Sequence, residues 1–236
     1  MTDKMTSLSY GNPLTYLSQK PIQEYSKGRI IYDVEHPATS LYLVILGRVK
    51  VGTTANDGGQ AVVRIVRSPG LFGESSLIGL LNRAESAMGL DTVTLMSWSR
   101  NEIEQQVERE PRLGIALAQY LVRQCLDLQD RIESMAVRKT PERVMLALLQ
   151  LAADLGVPMP DGSLSVAALT HHTIAEFVGT SREIVTSQMN RLRRMGLVRY
   201  SPKQIDVHAQ ALRENLTQKG IRVSYAAKST AQIVGR

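Results

Sequence analysis

A single cysteine, Cys125, stands in 236 residues. One thiol closes no disulfide within the chain and suits a reducing cytoplasm. It also falls short of an iron–sulfur cluster, which takes about four thiolates. Histidine is nearly as scarce, and His36 is the only one before residue 171. The clustered histidines and carboxylates with which jelly-roll enzymes hold a metal are therefore missing. No Ser/His/Asp or Cys/His nucleophile arrangement stands out, nor a phosphate-cradling glycine loop followed by lysine. These gaps speak against an enzyme. No run approaches the ~18 apolar residues of a membrane span, and the first residues lack the apolar core of a signal peptide. Internal repeats and low-complexity tracts are absent too.

The charge that is present is unevenly placed. The formal net charge is +6. Through Val137 the chain carries 14 Lys/Arg against 15 Asp/Glu, and from Arg138 onward 14 against 7. The second half alone is therefore basic, as expected of a module that binds a polyanion.

That half also holds the most informative stretch, Thr170-His171-His172-Thr173-Ile174-Ala175-Glu176-Phe177-Val178-Gly179-Thr180-Ser181-Arg182-Glu183-Ile184-Val185, running on to Leu197. It reads as a helix, a glycine turn and a second helix. Ile174, Ala175 and Val178 can line one face of the first helix, and Val185, Met189 and Leu192 give the second its apolar stripe. Thr180-x-x-Glu183 is a capping box that would start the second helix. Arg182, Glu183, Thr186 and Asn190 turn away from the stripe as a polar face without core duties. A helix-turn-helix presenting such a face is built to enter the major groove of double-stranded DNA. Segments 197–200 and 204–207 around Ser201-Pro202-Lys203 predict a hairpin wing beside it. A short helix near 210–218 and a loose basic tail would follow.

The first half reads as short β-branched strands at 29–32, 41–46, 49–51, 61–66 and 93–98. Asp57-Gly58-Gly59 marks a hairpin tip and Ser68-Pro69-Gly70 a turn. Such spacing suggests a sandwich or jelly roll able to hold a small ligand. Pro111 then opens a long helix to Val137 in which Leu113, Leu117, Leu121, Leu128, Ile132 and Met135 recur at three- and four-residue steps, with Gln124 and Arg131 as polar interruptions. A two-stranded coiled coil fits this pattern, and so does one amphipathic helix packed on its own barrel. Thr140 as N-cap and Pro141 at N1 would start the next helix, ending at Gly156. The expected fold is α+β: a sensing β-barrel at 1–110, a dimerisation helix at 111–137, a winged helix-turn-helix at 138–208 and an extension at 209–236.

Together these features resemble the CRP/FNR superfamily of bacterial transcription factors (cyclic-AMP receptor protein / fumarate-nitrate regulator), from about Ile22 to Val207. Leu41-Tyr42-Leu43-Val44-Ile45-Leu46-Gly47-Arg48-Val49-Lys50-Val51 resembles the family's barrel signature. Pro69-Gly70-Leu71-Phe72-Gly73-Glu74 resembles the start of its phosphate-binding cassette, and Thr170 to Leu197 its DNA-reading module. The resemblance implies a cyclic-nucleotide-binding-type jelly roll, a cytoplasmic homodimer on an inverted repeat, and RNA polymerase as a partner, although no motif marks that surface.

For DNA, the resemblance implies that Arg182 reads guanine and Glu183 the cytosine of a neighbouring pair, in a TGTGA-like half-site. A guanidinium matches guanine N7/O6, and a carboxylate accepts from cytosine N4. Glu183 can equally serve as a cap. Ser187 stands where a second arginine is common, so one base contact is missing. Thr170, His172, Ser181 and Lys203 align with phosphate-contact positions, while Thr186 and Asn190 complete the candidate face.

For an effector, the candidate pocket is Gly73, Glu74, Ser75, Arg83, Ser86, Gln124 and Leu128. Here the chain departs from the family. If Ser86 is the cassette serine, Glu85 occupies the position of the arginine that neutralises a cyclic phosphate, and Arg83 could replace it only in a shifted register. Leu128 and Gln129 stand where hydroxyls hold the adenine. Cyclic AMP is therefore not the expected effector, whose identity stays open. Glu74 reads either as a ligand contact or as a buried carboxylate shaping the loop. His36 reads as a surface-turn residue or a haem ligand. The rival to a DNA-binding regulator is a ligand-binding protein whose C-terminal half takes a protein partner.

Overall fold

Eight short strands, of which β2, β4 and β5 are the richest in β-branched residues, build two antiparallel four-stranded sheets that face each other as a jelly roll. They are β1 (Gln23–Tyr25), β2 (Ile30–Tyr32), β3 (Ser40–Leu46), β4 (Arg48–Thr54), β5 (Gln60–Arg67), β6 (Gly70–Phe72), β7 (Ser86–Gly89) and β8 (Val93–Ser99). One sheet runs β1-β8-β3-β6 and the other β2-β7-β4-β5. The computed structural model describes residues 11–54 and 59–223. Asp57 and Gly58 of the expected hairpin tip lie outside them, as does the tail from residue 224. Among the described residues no helix is long and apolar enough to cross a membrane.

Alternation along β3 divides its side chains between two cores. Val44 points inward with Tyr32, Val49, Val51, Phe72 and Leu95. Leu41 and Leu43 point outward and pack with Trp98, Ile103, Leu113 and Leu117. The second set is supplied by α1 (Arg100–Arg109) and α2 (Pro111–Val137). The sequence pattern did not register α1, because only Ile103 on it is buried. Its start is nevertheless well specified: Ser99 and Glu102 form a capping box. Lys20 and the Ser99 donors hold the Glu102 carboxyl down at about 2.

The long helix α2 carries two stripes where the sequence suggested one. Leu113 and Leu117, the start of the expected seam, are buried against the barrel. The exposed stripe is Ile115, Ala118, Val122, Cys125, Gln129, Ile132 and Ala136, spaced alternately by three and four residues. Ile115, Val122 and Ile132 are 61, 59 and 66% exposed, an open apolar row on a helix whose first turns pack on its own barrel. Arg131, expected to interrupt the seam, lies off it and turns inward.

The C-terminal half comprises α3 (Thr140–Leu155), β9 (Val157–Pro158), β10 (Leu164–Ala167), α4 (His171–Val178), α5 (Arg182–Arg194), β11 (Val198–Tyr200), β12 (Gln204–Val207) and α6 (Ala209–Gln218). The four strands pair in the order β11-β12-β10-β9 and form the wing sheet. Lys139, not Thr140, is the N-cap of α3; its backbone N–H donates to Glu142 at 3.0 Å, and Thr140 is already helical. Leu212 and Leu216 of α6 are fully buried in the same core as Val144, Leu148 and Ile174. The expected boundary at 208 therefore runs through a single packed unit.

The two halves also share that core. Val62 and Ile65 of β5 pack in it among residues of α3 and α4. Arg131 fastens the joint: Nη2 donates to the carbonyls of Val62 at 3.0 Å and Phe177 at 2.9 Å, Nη1 to that of Val63. Its guanidinium lies 4.3 Å over the Phe177 ring. Lys50 pairs with buried Glu176 at 3.1 Å, and Arg48, held bidentately by Asp91, donates to Ala167 O at 2.7 Å. Replacing Arg131 by Met keeps the aliphatic stem and strips three carbonyls of their donor. Arg131→Met should cost about 1–3 kcal/mol, seen as a lower urea midpoint at unchanged slope. An unmoved midpoint would show that the clasp contributes nothing.

Candidate nucleic-acid interface

Local rules place α4 and α5. Thr170 caps α4, its Oγ1 accepting from Thr173 N at 3.0 Å. Gly179 ends the helix at φ +73°, a left-handed conformation that costs a side-chain residue about 1–2 kcal/mol. The chain then turns and Ser181, not Thr180, caps α5, accepting from Ile184 N at 3.3 Å. The capping box expected at Thr180 does not form: with Ser181 as the N-cap, the third helical residue is Ile184, which has no side-chain acceptor to return the bond. Glu183 nonetheless acts at this end: its own backbone N–H and the Ser181 hydroxyl hold its carboxyl below the usual range. A carboxylate in the first turn also complements the helix dipole.

Beneath α5, Val185, Met189 and Leu192 are buried, as their spacing requires. Outside, Arg182, Glu183 and Ser187 are exposed. Thr186 and Asn190 differ from the expected free polar residues. Thr186 Oγ1 donates back to Arg182 O at 2.8 Å and lies 2.9 Å from His171 Nδ1. Asn190 Oδ1 accepts from Tyr200 OH at 2.8 Å. Tyr200 meets His171 edge-on, ring centroids 5.5 Å apart, and Arg193 lies 5.2 Å over its ring. The outer face of α5 is thus tied both to α4 and to the wing.

Of the two adjacent histidines, the sequence singled out His172. Its side chain is exposed, with Nε2 3.3 Å from Glu176 on the side facing the barrel. His171 is the one that touches the recognition helix. Nothing in residue type distinguishes them; helical phase alone does. Lys203 is exposed at the wing turn. Arg191, Arg193 and Arg194, which the sequence reading passed over, crowd the last turn of α5, where cations suit the dipole. Arg143 also escaped notice; its Nη2 donates to Val178 O at 2.8 Å and Gly179 O at 2.7 Å, bracing the turn.

The candidate effector loop has its own geometry. Arg83 is 4% exposed. It donates to Gly73 O at 2.9 Å, Ser75 Oγ at 3.2 Å and Ser40 O at 2.6 Å, with its guanidinium 4.1 Å over the Tyr32 ring. Gly73, at φ +84°, leaves room for that head; a Cβ there would sit 3.0 Å from Arg83 Nη1 and Ser40 O. Tyr32, Tyr42 and Phe72 stack behind it at 5.1–6.0 Å. Glu85 accepts from Tyr32 OH and Ser75 Oγ, each at 3.1 Å; burial and this carboxylate push the Tyr32 phenol far up. Glu74 points elsewhere, to Arg64 at 2.7 Å and Tyr120 OH at 3.4 Å. Ser86 Oγ donates to Gly52 O at 3.2 Å within the sheet. Gln124 and Leu128 sit farther along α2, one and two turns past Tyr120, and Leu128 is exposed.

A jelly roll, a long helix and a winged helix-turn-helix in this order define the class of DNA-binding regulators with an N-terminal jelly-roll domain. The cyclic nucleotide-binding domain profile matches residues 22–110, and the Crp-like helix-turn-helix domain profile matches 142–214. The global nitrogen regulator of Synechocystis sp. is 30% identical over 189 residues, 79% of this chain and 84% of that protein. The CRP-like cAMP-activated global transcriptional regulator of Mycobacterium tuberculosis is 28% identical over 77% of this chain and 81% of its own. Among solved structures, FixK2 from Bradyrhizobium japonicum superposes with a TM-score of 0.74 at 19% identity, covering 82% of this chain and 96% of that one. A CRP/FNR-family regulator from Thermus thermophilus gives 0.65 at 28%, covering 82% and 97%. The chain belongs to the CRP/FNR family of transcription regulators.

His171 supplies a pH test of the interface. Burial and the neighbouring Arg182 charge hold its pKa below 6.5 in the folded protein. The unfolded chain therefore takes up the proton first as pH falls through 6.5, and stability is lost until the folded-state value is passed. Tm measured between pH 7.5 and 5 should fall more for the wild type than for His171→Gln. Parallel profiles would mean that His171 does not titrate under this constraint.

Proposed function

We propose that this regulator binds DNA as a homodimer, reading an inverted repeat whose half-sites lie about one helical turn apart. The observation that carries the reading is the exposed Arg182 side chain in the first turn of α5, on a face backed by a rigid core. Arg182 reads guanine and Glu183 the amino group of cytosine in a TGTGA-like half-site. Thr170, His172, Ser181 and Lys203 contact phosphate, Thr170 and Ser181 while capping their helices, and Ser187 faces the groove with a short hydroxyl. RNA polymerase is the partner of the bound dimer, in the cytoplasm. Arg182→Ala should cost about 1–3 kcal/mol at one base pair and relax specificity there. Lys203→Ala should weaken all sequences alike and flatten the salt dependence. Equal losses on cognate and random DNA for Arg182→Ala would sink the readout assignment.

Dimerisation uses the exposed heptad stripe of α2, with Gln129 as its polar register position. Val122→Glu with Ile132→Glu should give a monomer by light scattering, whereas an intact dimer would move the interface elsewhere.

Gating by cyclic AMP, named for the mycobacterial relative, does not suit this barrel. The buried Arg83 already donates to two carbonyls and a hydroxyl, and Glu85 adds a negative charge beside Ser75. A cyclic phosphate would meet a committed guanidinium and a repelling carboxylate. Either a different small effector or an unliganded form competent for DNA fits better. Any effector must favour one arrangement of the halves about residues 138–140, since only differential affinity shifts a population. Calorimetry should show no micromolar binding of cyclic AMP; such binding coupled to tighter operator affinity would overturn this view.

A further inference from the structure

The contact between Tyr200 and Asn190 has a consequence for which bases the protein can read. Asn190 lies on α5 in line with Arg182 and Thr186, at intervals of four residues. That spacing puts it about 12 Å farther along the helix than Arg182, on the same outer line of α5. A free asparagine reads adenine bidentately, its oxygen accepting from N6 while its nitrogen donates to N7. Both amide atoms must then point the same way.

Asn190 is not free in that sense. Its Oδ1 accepts from Tyr200 OH at 2.8 Å. The tyrosine ring is itself fixed by the edge of His171 and by Arg193 over its face. The amide oxygen is therefore held by the wing hydroxyl, and the two N–H groups are what the amide has left to offer a base. We propose that Tyr200 is a positioning residue that converts Asn190 from an adenine reader into a donor-only reader. The favoured base edge is then guanine, whose N7 and O6 are both acceptors, over adenine, whose N6 amino group would face the amide donors. Tyr200 touches no base in this scheme; it acts through the orientation of Asn190. The inference rests on the DNA-reading assignment proposed above.

Selection from a library of randomised half-sites tests it, using the full-length wild type, Asn190→Ala, Tyr200→Phe and Tyr200→Phe/Asn190→Ala. The wild type should prefer guanine over adenine at the one position whose preference Asn190→Ala abolishes. Tyr200→Phe keeps the ring and its packing but removes the hydroxyl. It should swing that position toward adenine by about fivefold or more, while the Arg182 position and the overall salt dependence stay put. The double variant should show no preference at the Asn190 position, which separates reorientation of Asn190 from a general loosening of the wing. A wild type that selects no sequence overturns the DNA-reading assignment and this inference together. A wild type that selects an operator, with Tyr200→Phe leaving the Asn190 position unchanged or Asn190→Ala altering none, overturns the inference alone.

Discussion

The guanidinium of Arg131 joins three parts of the molecule at a single point, where apolar side chains of both halves also meet. It stands on α2, donates to two carbonyls of β5 and one at the end of α4, and rests on Phe177. Each acceptor is a backbone carbonyl that the joint covers, so each needs a donor. A planar five-donor head can serve several carbonyls at once, where lysine could act only as a point charge. Because Val62 and Ile65 of β5 belong to the core of the DNA-binding half, this joint sets where α4 sits relative to the barrel. The turn at Gly179 and the cap at Ser181 then carry that placement on to α5.

The barrel end shows the complementary situation, with charge spent inside the protein. Arg83 and Glu85 lie on one loop and are bridged through Ser75, while the Tyr32–Tyr42–Phe72 stack fills the space behind. Gly73 makes this packing possible because no side chain intervenes between loop and guanidinium. In the low dielectric of the interior, committed donors are worth more than free ones, and the loop is held by its own residues. The separate Arg64–Glu74–Tyr120 cluster links the same loop to α2. Changes at the loop therefore have a polar route to α2, which also carries Arg131.

Periodicity served best where one element has one buried face. The apolar residues of α5 and the start and end of α4 were legible because stripe, glycine and hydroxyl residues agree locally. The long α2 was legible as a helix but not in its faces, since Leu113 and Leu117 pack on the barrel while smaller residues, Ala118, Cys125 and Ala136, share the open stripe with Ile115, Val122 and Ile132. Counting large aliphatics could not separate two stripes on one helix. Likewise α1 buries a single side chain and gave no pattern to find.

The amino-acid sequence by itself determined the order of barrel, long helix and winged helix-turn-helix, the basic character of the last of these, and Arg182 and Glu183 at the head of the recognition helix. Each of these is written in nearest-neighbour chemistry: caps, turns, alternation and charge. Only the tertiary structure decided that Arg131 leaves the seam, that His171 rather than His172 meets α5, that Arg83 is committed within the barrel, and that Thr186 and Asn190 are tied down. Those outcomes depend on partners as far as 69 residues away in the chain, whose positions follow from packing. A residue's type states which bonds it can make; the fold alone determines which of them are already taken.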